Sequence, residues 1–104
     1  MEISKRDWKL FREKVPEWQE RYMEHLCQQY AELLDSDKPG ADRFWELWDR
    51  IRKDRKHTGV IIEMTRSKTI VNLLQLIREG AITMDDLLEF SEDLQKAVRF
   101  FIES

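Results

Sequence analysis

The residues whose types and spacing come closest to a functional motif lie between positions 35 and 46. Four of them match positions 1, 3, 6 and 12 of a calcium-binding EF-hand loop, namely Asp35, Asp37, Gly40 and Glu46. The match is incomplete, because position 5 is Pro39, which has no side-chain oxygen, and position 9 is Arg43, a cation. Asp, Pro and Gly are also the residues that form turns. The segment therefore predicts a turn between two helices, with no metal site.

A cluster of basic side chains follows in the segment RIRKDRKH. It consists of Arg50, Arg52, Lys53, Arg55 and Lys56. Such a cluster binds phosphates or an acidic protein surface, but cations also gather at helix C-termini because they complement the helix dipole. The i, i+4 pairs Glu46–Arg50 and Asp49–Lys53 are expected to neutralise part of it. These five residues are candidate contacts for a protein partner or for nucleic acid.

Cysteine and histidine are too few for a convincing catalytic or metal centre. The chain has one Cys and two His. On a helix, His25 and Cys27 point in different directions, and His57 stands apart from both. Cys27 is therefore expected to be a small buried hydrophobic residue. No phosphate-binding loop, dinucleotide fingerprint, nucleophile elbow or zinc-protease motif occurs, so we expect no catalysis and no cofactor.

Hydrophobic periodicity predicts an all-α fold. Ser4, followed by Asp7, predicts the start of a helix. The apolar residues of segments 4–15 and 16–34 recur at helical spacing, as do those of a third segment that begins at residue 41 and is expected to end at residues 57–59. Pro16 predicts a boundary or a kink between the first two segments. In the third, Phe44, Trp45 and Trp48 are expected in the core; if exposed together, they would be binding hot spots.

The second half of the chain continues the helical pattern. Residues 60–79 are apolar around most of a helical wheel, which predicts a central helix. Gly80 is expected to end that helix, and Thr83 and Ser91 to begin two further helices. The prediction is a compact bundle of five or six helices, with surplus apolar surface on residues 60–77 available for contacts.

Composition limits the class of protein. At 104 residues, with 41% hydrophobic and 38% charged residues, the chain is expected to form a single helical domain spanning residues 1–104. No apolar run approaches the ~20 residues of a membrane span, and the N-terminus lacks the apolar region of a signal peptide. One Cys fits a reducing compartment. These features predict a cytoplasmic protein without membrane association.

Three stretches carry a resemblance to a protein family. They are MEISKRDWKLFREKVPEWQERYM, FWELWDRIRKDRK and LIREGAITMDDLLEFSEDL. Over its whole length the chain resembles a family of uncharacterised small bacterial proteins from Firmicutes, some of which carry an automatic multidrug-transporter label. The lack of a membrane-spanning segment argues against transport here. The family implies no catalytic or binding residues.

A second resemblance covers about a fifth of the chain. The stretch LLQLIREGAITMDDLLEFSEDL is similar to the helical hairpin of short C-terminal oligomerisation domains. The residues that carry the likeness are Leu73, Leu76, Gly80, Ile82, Thr83, Asp86 and Phe90.

Together these observations predict a small non-catalytic protein-interaction module. It is expected to bind a protein partner, or a second copy of itself as a homodimer, through a helical face. A regulatory protein or an accessory protein of a mobile element fits this description. The alternative is a nucleic-acid-binding helical domain that uses the basic segment 50–57.

Overall fold

The computed structural model describes all 104 residues and contains only helices and connections. The four α-helices are α1 (Lys5–Leu34), α2 (Gly40–Asp54), α3 (Thr69–Arg78) and α4 (Glu92–Glu103). Two short 3₁₀-helices span Arg66–Lys68 and Met84–Leu87. The all-α prediction is confirmed, whereas the prediction of five or six helices is wrong. None of the helices combines the length and the apolar character that a membrane span requires.

Helix α1 continues through Pro16, so the helix boundary that the sequence allowed there does not form. Proline removes one backbone donor, so the carbonyl of Arg12 loses its usual partner. Pro16 lies on the exposed side of α1, where water can satisfy that carbonyl, while Val15 and Trp18 are buried on the other side. Because residues before and after the proline pack in the core, the two predicted helices form one continuous helix.

The predicted central helix over residues 60–79 forms only in its second half, as α3. Residues 61–65 are neither helix nor strand. Val60, Ile61 and Ile62 are β-branched, which disfavours helix. Contacts with residues elsewhere in the chain then hold the segment in a non-helical conformation. The Asn72 side chain donates to the carbonyl of Glu63 at 3.0 Å, and the Arg66 guanidinium donates to the carbonyl of Ile3.

The core lies between the first two thirds of α1, α3, α4 and the segment that joins α3 to α4. Its fully buried side chains include Phe11, Leu73, Leu76, Leu87 and Leu94. A buried carboxylate adds a polar connection, because Asp7 accepts hydrogen bonds from the backbone N–H and the hydroxyl of Ser91, at 3.0 and 2.5 Å. This contact joins the first turn of α1 to the start of α4.

The helix ends follow the predicted capping residues. Ser4 and Ser91 cap α1 and α4 by accepting backbone N–H groups, and Thr83 forms a capping box with Asp86. Gly80 has a φ of 79°, and the N–H of Ala81 bonds to the carbonyl of Leu76 at 2.9 Å. This is the Schellman arrangement, which a glycine in the left-handed region permits. Here the local sequence predicts the structure correctly.

The molecule is elongated, although a compact bundle was predicted. It measures 51 × 25 × 19 Å, with a radius of gyration of 16.3 Å, against about 13 Å for a compact domain of 100 residues. The cause is α1, whose 30 residues span about 45 Å. Helix α2 folds back along the last part of α1, away from α3 and α4, and the two form an α1–α2 hairpin at one end of the molecule.

Candidate interaction surface

Helix α2 contains no buried residue. Its largest apolar side chains face solvent, and we call them the aromatic face: Phe44 (63% exposed), Trp45 (63%), Trp48 (54%) and Ile51 (40%). The prediction that these aromatic residues belong to the core is therefore wrong. Their exposure together is the condition under which they become candidate binding hot spots.

The side of α2 that faces α1 is mostly polar. Arg50 donates from Nη2 to Oε1 of Gln29 at 2.9 Å, and its guanidinium carbon lies 5.5 Å from the centre of the Tyr30 ring. The Tyr30 hydroxyl donates to Oδ2 of Asp54 at 2.5 Å. Together with half-buried Leu47, Arg50 and Asp54 form one helical stripe. Because this stripe binds α1, the aromatic face is turned outward.

Polar contacts also position the start of α2. Arg43 donates from Nε to the carbonyl of Lys38 at 2.9 Å and from Nη1 to the carbonyl of Leu34 at 2.6 Å. The second bond satisfies the carbonyl of Leu34 at the end of α1, a group that a helix C-terminus leaves without a partner. Glu46 forms an ion pair with Lys38 at 2.9 Å, so the predicted Glu46–Arg50 pair is not present.

The segment that first suggested calcium forms the connection between α1 and α2, as predicted. Pro39 directly precedes α2, and Asp35 ends α1. No three His, Cys, Asp or Glu side chains anywhere in the molecule lie close enough together to form a metal-binding group.

The turn after α2 is attached to both α1 and α3. The Tyr22 hydroxyl lies 2.8 Å from Nδ1 of His57. The two carboxylate oxygens of Glu79 accept the backbone N–H groups of Thr58 and Gly59 at 2.9 and 3.0 Å. A Cβ atom on Gly59 would lie 2.3 Å from Cδ2 of Tyr22. Only glycine allows this close approach, which anchors the C-terminal end of α2.

The five basic candidate residues do not form one surface. Arg50 contacts α1, whereas Arg52 and Lys53 pair with Asp49 at 2.8 and 2.9 Å. The hydrogen bond from Arg52, followed by that from Lys53, holds the pKa of Asp49 below its usual range. The predicted Asp49–Lys53 pair is confirmed. The remaining two, Arg55 and Lys56, are exposed and form no ion pair within the chain.

An apolar pocket of about 190 Å³ lies beside the aromatic face, between α1 and α2. Ile51 belongs to both, and the other apolar lining residues are Met23, Leu26, Cys27, Tyr30 and Val60. Burial, followed by the hydrogen bond to Asp54, raises the pKa of the Tyr30 phenol, which stays protonated as the donor. Cys27 is exposed at this pocket, so the expectation that it is buried is wrong.

Apolar side chains are also exposed outside α2. Phe100 and Phe101 near the end of α4 form an edge-to-face pair with ring centres 5.4 Å apart. Within the segment for which surplus apolar surface was predicted, Ile61, Met64 and Val71 are exposed. The two indoles and the phenyl ring of α2 make the aromatic face the larger candidate surface.

No protein-family model, no curated protein and no solved structure matches the chain.

The sequence contained one signal for the outward orientation of α2. Arg43, Leu47, Arg50 and Asp54 recur at i, i+4, i+7 and i+11, so they lie on one side of the helix, roughly opposite the aromatic residues. Gln29 and Tyr30 on α1 can pair with a polar stripe. Only the tertiary structure shows which of the two sides of α2 faces α1.

Proposed function

We propose that this protein is a non-catalytic interaction module that binds a protein partner through the aromatic face of α2. The observation that carries the proposal is the joint exposure of Phe44, Trp45, Trp48 and Ile51 on one helix. Aromatic side chains of this size have roughly 150–250 Å² to bury, so on the order of 300 Å² remains in water here. Exposed apolar patches of that order on a monomer are often functional.

The hydrogen bonds that position α2 support the same proposal. Arg43 holds its start, Arg50 and Asp54 hold its middle and end, and Glu79 holds the turn that follows. A surface that is ordered before binding loses less conformational entropy when the partner arrives. Trp and Arg are also the residues over-represented at binding hot spots.

The non-catalytic part of the proposal is supported by the contacts of the titratable groups around the C-terminal end of α2. Asp54 accepts from Tyr30, His57 lies in hydrogen-bond distance of Tyr22, and both oxygens of Glu79 bind backbone N–H groups. Each of these contacts joins one element of the fold to another. A catalytic acid or base needs access to a substrate proton.

One observation favours nucleic acid as a second candidate. By helical spacing, Arg52 and Arg55 lie on the same side of α2 as Trp45 and Trp48. Aromatic rings that stack on bases beside cations that bind phosphates are the usual means of binding single strands. Against this, Asp49 neutralises part of the cluster and the net charge is −3.

Affinity capture from a lysate of the source cells, with and without nuclease, tests the proposal. The bait proteins are the unchanged chain, the double variant Trp45→Ala/Trp48→Ala, and the matched control Phe100→Ala/Phe101→Ala, which removes an exposed aromatic pair from α4. The proposal expects a stoichiometric protein that survives nuclease, binds the control and is lost from the α2 variant.

Two results would contradict it. Capture that disappears with nuclease would favour nucleic acid, and capture that is unaffected by the α2 double variant would exclude the aromatic face.

A further inference from the structure

We propose that the aromatic face of α2 binds the aromatic face of a second copy of this chain, with the two α2 helices antiparallel and a two-fold axis passing near Trp48. This inference rests on the proposed function and names the partner of that surface. Three features of α2 support it: the position of its aromatic residues, the distribution of its charges, and the pocket beside Ile51.

The aromatic residues are placed so that the face can pair with itself. Trp48 lies near the middle of α2, with Phe44 and Trp45 about one turn before it and Ile51 about one turn after it. In an antiparallel pair centred on Trp48, position 51 of one copy lies opposite position 45 of the other. Apolar side chains therefore meet apolar side chains along the contact, as an isologous two-fold interface requires.

The charges at the two ends of the hairpin are opposite in sign. Three exposed acids lie at or before the start of α2: Asp35, Asp37 and Asp42. None forms an ion pair within the chain, and neither do Arg55 and Lys56 after its end. Asp42 and Arg55 are 13 residues apart, about 20 Å along the helix, which exceeds the screening length of about 8 Å at physiological salt.

An antiparallel pair brings these opposite charges together. The basic end of each α2 then lies beside the acidic end of the other, and the two helix dipoles oppose each other favourably. Arg52 and Asp42 lie along the same edge of the aromatic face. A two-fold axis perpendicular to the two helices places this edge of one copy next to the same edge of the other copy. A parallel pair would instead place like charges together, which is unfavourable.

The pocket beside Ile51 provides space for a side chain of the second copy. It is apolar, holds about 190 Å³ and opens next to the aromatic face. Trp45 of the second copy lies opposite Ile51 in this arrangement, so its indole is the group expected to enter. A large aromatic side chain that fills an apolar pocket is the usual form of a binding hot spot.

The area of the aromatic face determines how tightly two copies are expected to bind. Stable specific interfaces bury about 800 Å² on each partner, and the aromatic rings alone offer less than that. The expected product is a transient dimer whose population depends on concentration. Its assembly therefore has to be followed over a wide range of protein concentrations.

Sedimentation velocity of the full chain, from about 5 to about 500 µM, measures the association. The 12.7 kDa monomer should convert to a dimer as the concentration rises. Trp48→Ala should raise the dissociation constant by about tenfold or more, whereas Phe100→Ala/Phe101→Ala should leave it unchanged. Arg52→Glu/Arg55→Glu should weaken the dimer more than Lys96→Glu/Arg99→Glu, a control that changes the net charge equally on exposed residues of α4.

Disulfide trapping tests the antiparallel direction. In a Cys27→Ser background, one chain carries Ala41→Cys and another carries Arg55→Cys, and the two are mixed under mild oxidation. The mixed 41–55 disulfide should form faster than the 41–41 or 55–55 disulfides.

Three results would overturn the inference. They are a monomer at every concentration, a dimer unaffected by Trp48→Ala, and preferential 41–41 crosslinking. If the protein stays monomeric while a different protein is still captured through Trp45 and Trp48, the self-association is wrong and the proposed interaction function stands.

Discussion

Helices α2 and α3 carry apolar residues at similar helical spacing but have opposite environments. In α3, Leu73 and Leu76 are fully buried, whereas in α2 Trp45 is 63% and Trp48 is 54% exposed. Helix α3 packs against α4 and the body of α1, so its apolar side is covered. Helix α2 has only α1 beside it, and its polar side takes that contact.

The difference in burial indicates that the apolar residues of the two helices have different roles. Those of α3 stabilise the fold by leaving water, and those of α2 remain available to a partner. Substitutions in the two helices should therefore have opposite consequences. The α3 core should control unfolding and leave binding unchanged, and the α2 face should control binding and leave unfolding unchanged.

The largest effect is expected from Leu73→Ala in α3. Leu73 is fully buried, and removing its side chain leaves a cavity, so the free energy of unfolding should fall by about 2–5 kcal/mol. Urea denaturation followed by far-ultraviolet circular dichroism measures this loss. Val71→Ala in the same helix is the matched control, because Val71 is 55% exposed, and it should change stability by no more than about 0.5 kcal/mol. Equal losses in both variants would refute the assignment of the core.

A smaller loss is expected from Gly59→Ala, which tests how α2 is attached to the rest of the molecule. The added Cβ would lie 2.3 Å from the Tyr22 ring, and relieving that clash should cost about 1–3 kcal/mol. Gly40→Ala at the first residue of α2 meets no atom within 4 Å and should be neutral or stabilising by up to about 1 kcal/mol. Thermal unfolding of the two variants side by side decides the question, and similar melting temperatures would contradict the close packing at Gly59.

Alkaline pH should weaken the α1–α2 contact by a smaller amount. Folding raises the pKa of Tyr30, mainly through burial and the hydrogen bond to Asp54. A raised folded-state pKa contributes stability that is complete below the unfolded value of about 10 and is lost as the pH rises through the folded value. Stability should therefore decline above about pH 10.

The variant Tyr30→Phe identifies the group responsible for this decline. It should lose about 1 kcal/mol at neutral pH, because its hydrogen bond to Asp54 is missing. Above about pH 10 its stability should fall less than that of the unchanged protein. Chemical denaturation at pH 8 and pH 11 measures both quantities, and parallel declines in the two proteins would exclude Tyr30.

Local sequence signals predicted much of the fold. The all-α class, the caps at Ser4 and Ser91, the ending of α3 at Gly80 and the break before α2 follow from interactions between residues close along the chain. Such interactions depend little on the rest of the molecule, so a sequence pattern identifies them.

The errors share a different origin. The helix boundary that was allowed at Pro16 does not form, because Val15 and Trp18 pack in the core around it. Residues 61–65 stay outside α3, and Asn72 donates to the carbonyl of Glu63 there. Both outcomes depend on contacts that helical propensity does not contain.

The candidate surface was missed for the same reason. Periodicity showed that α2 has an apolar side and a polar side, but it did not show that Gln29 and Tyr30 of α1 would bind Arg50 and Asp54. Because the polar side of α2 packs against α1, the aromatic residues on the other side are exposed. The aromatic side chains of α2 nevertheless indicated from the sequence that, if exposed together, they would be binding hot spots.

The central claim is that the aromatic face of α2 serves binding and contributes little to the stability of the fold. It predicts that removing both indoles has only a small effect on stability. The measurement is the urea denaturation of Trp45→Ala/Trp48→Ala beside the unchanged protein, at low micromolar concentration where a weak dimer dissociates. Because both indoles are more than half exposed, the free energies of unfolding should agree within about 1 kcal/mol. A loss of about 3 kcal/mol or more, typical of large-to-small changes at buried aromatic positions, would show that these residues belong to the core and would contradict the account.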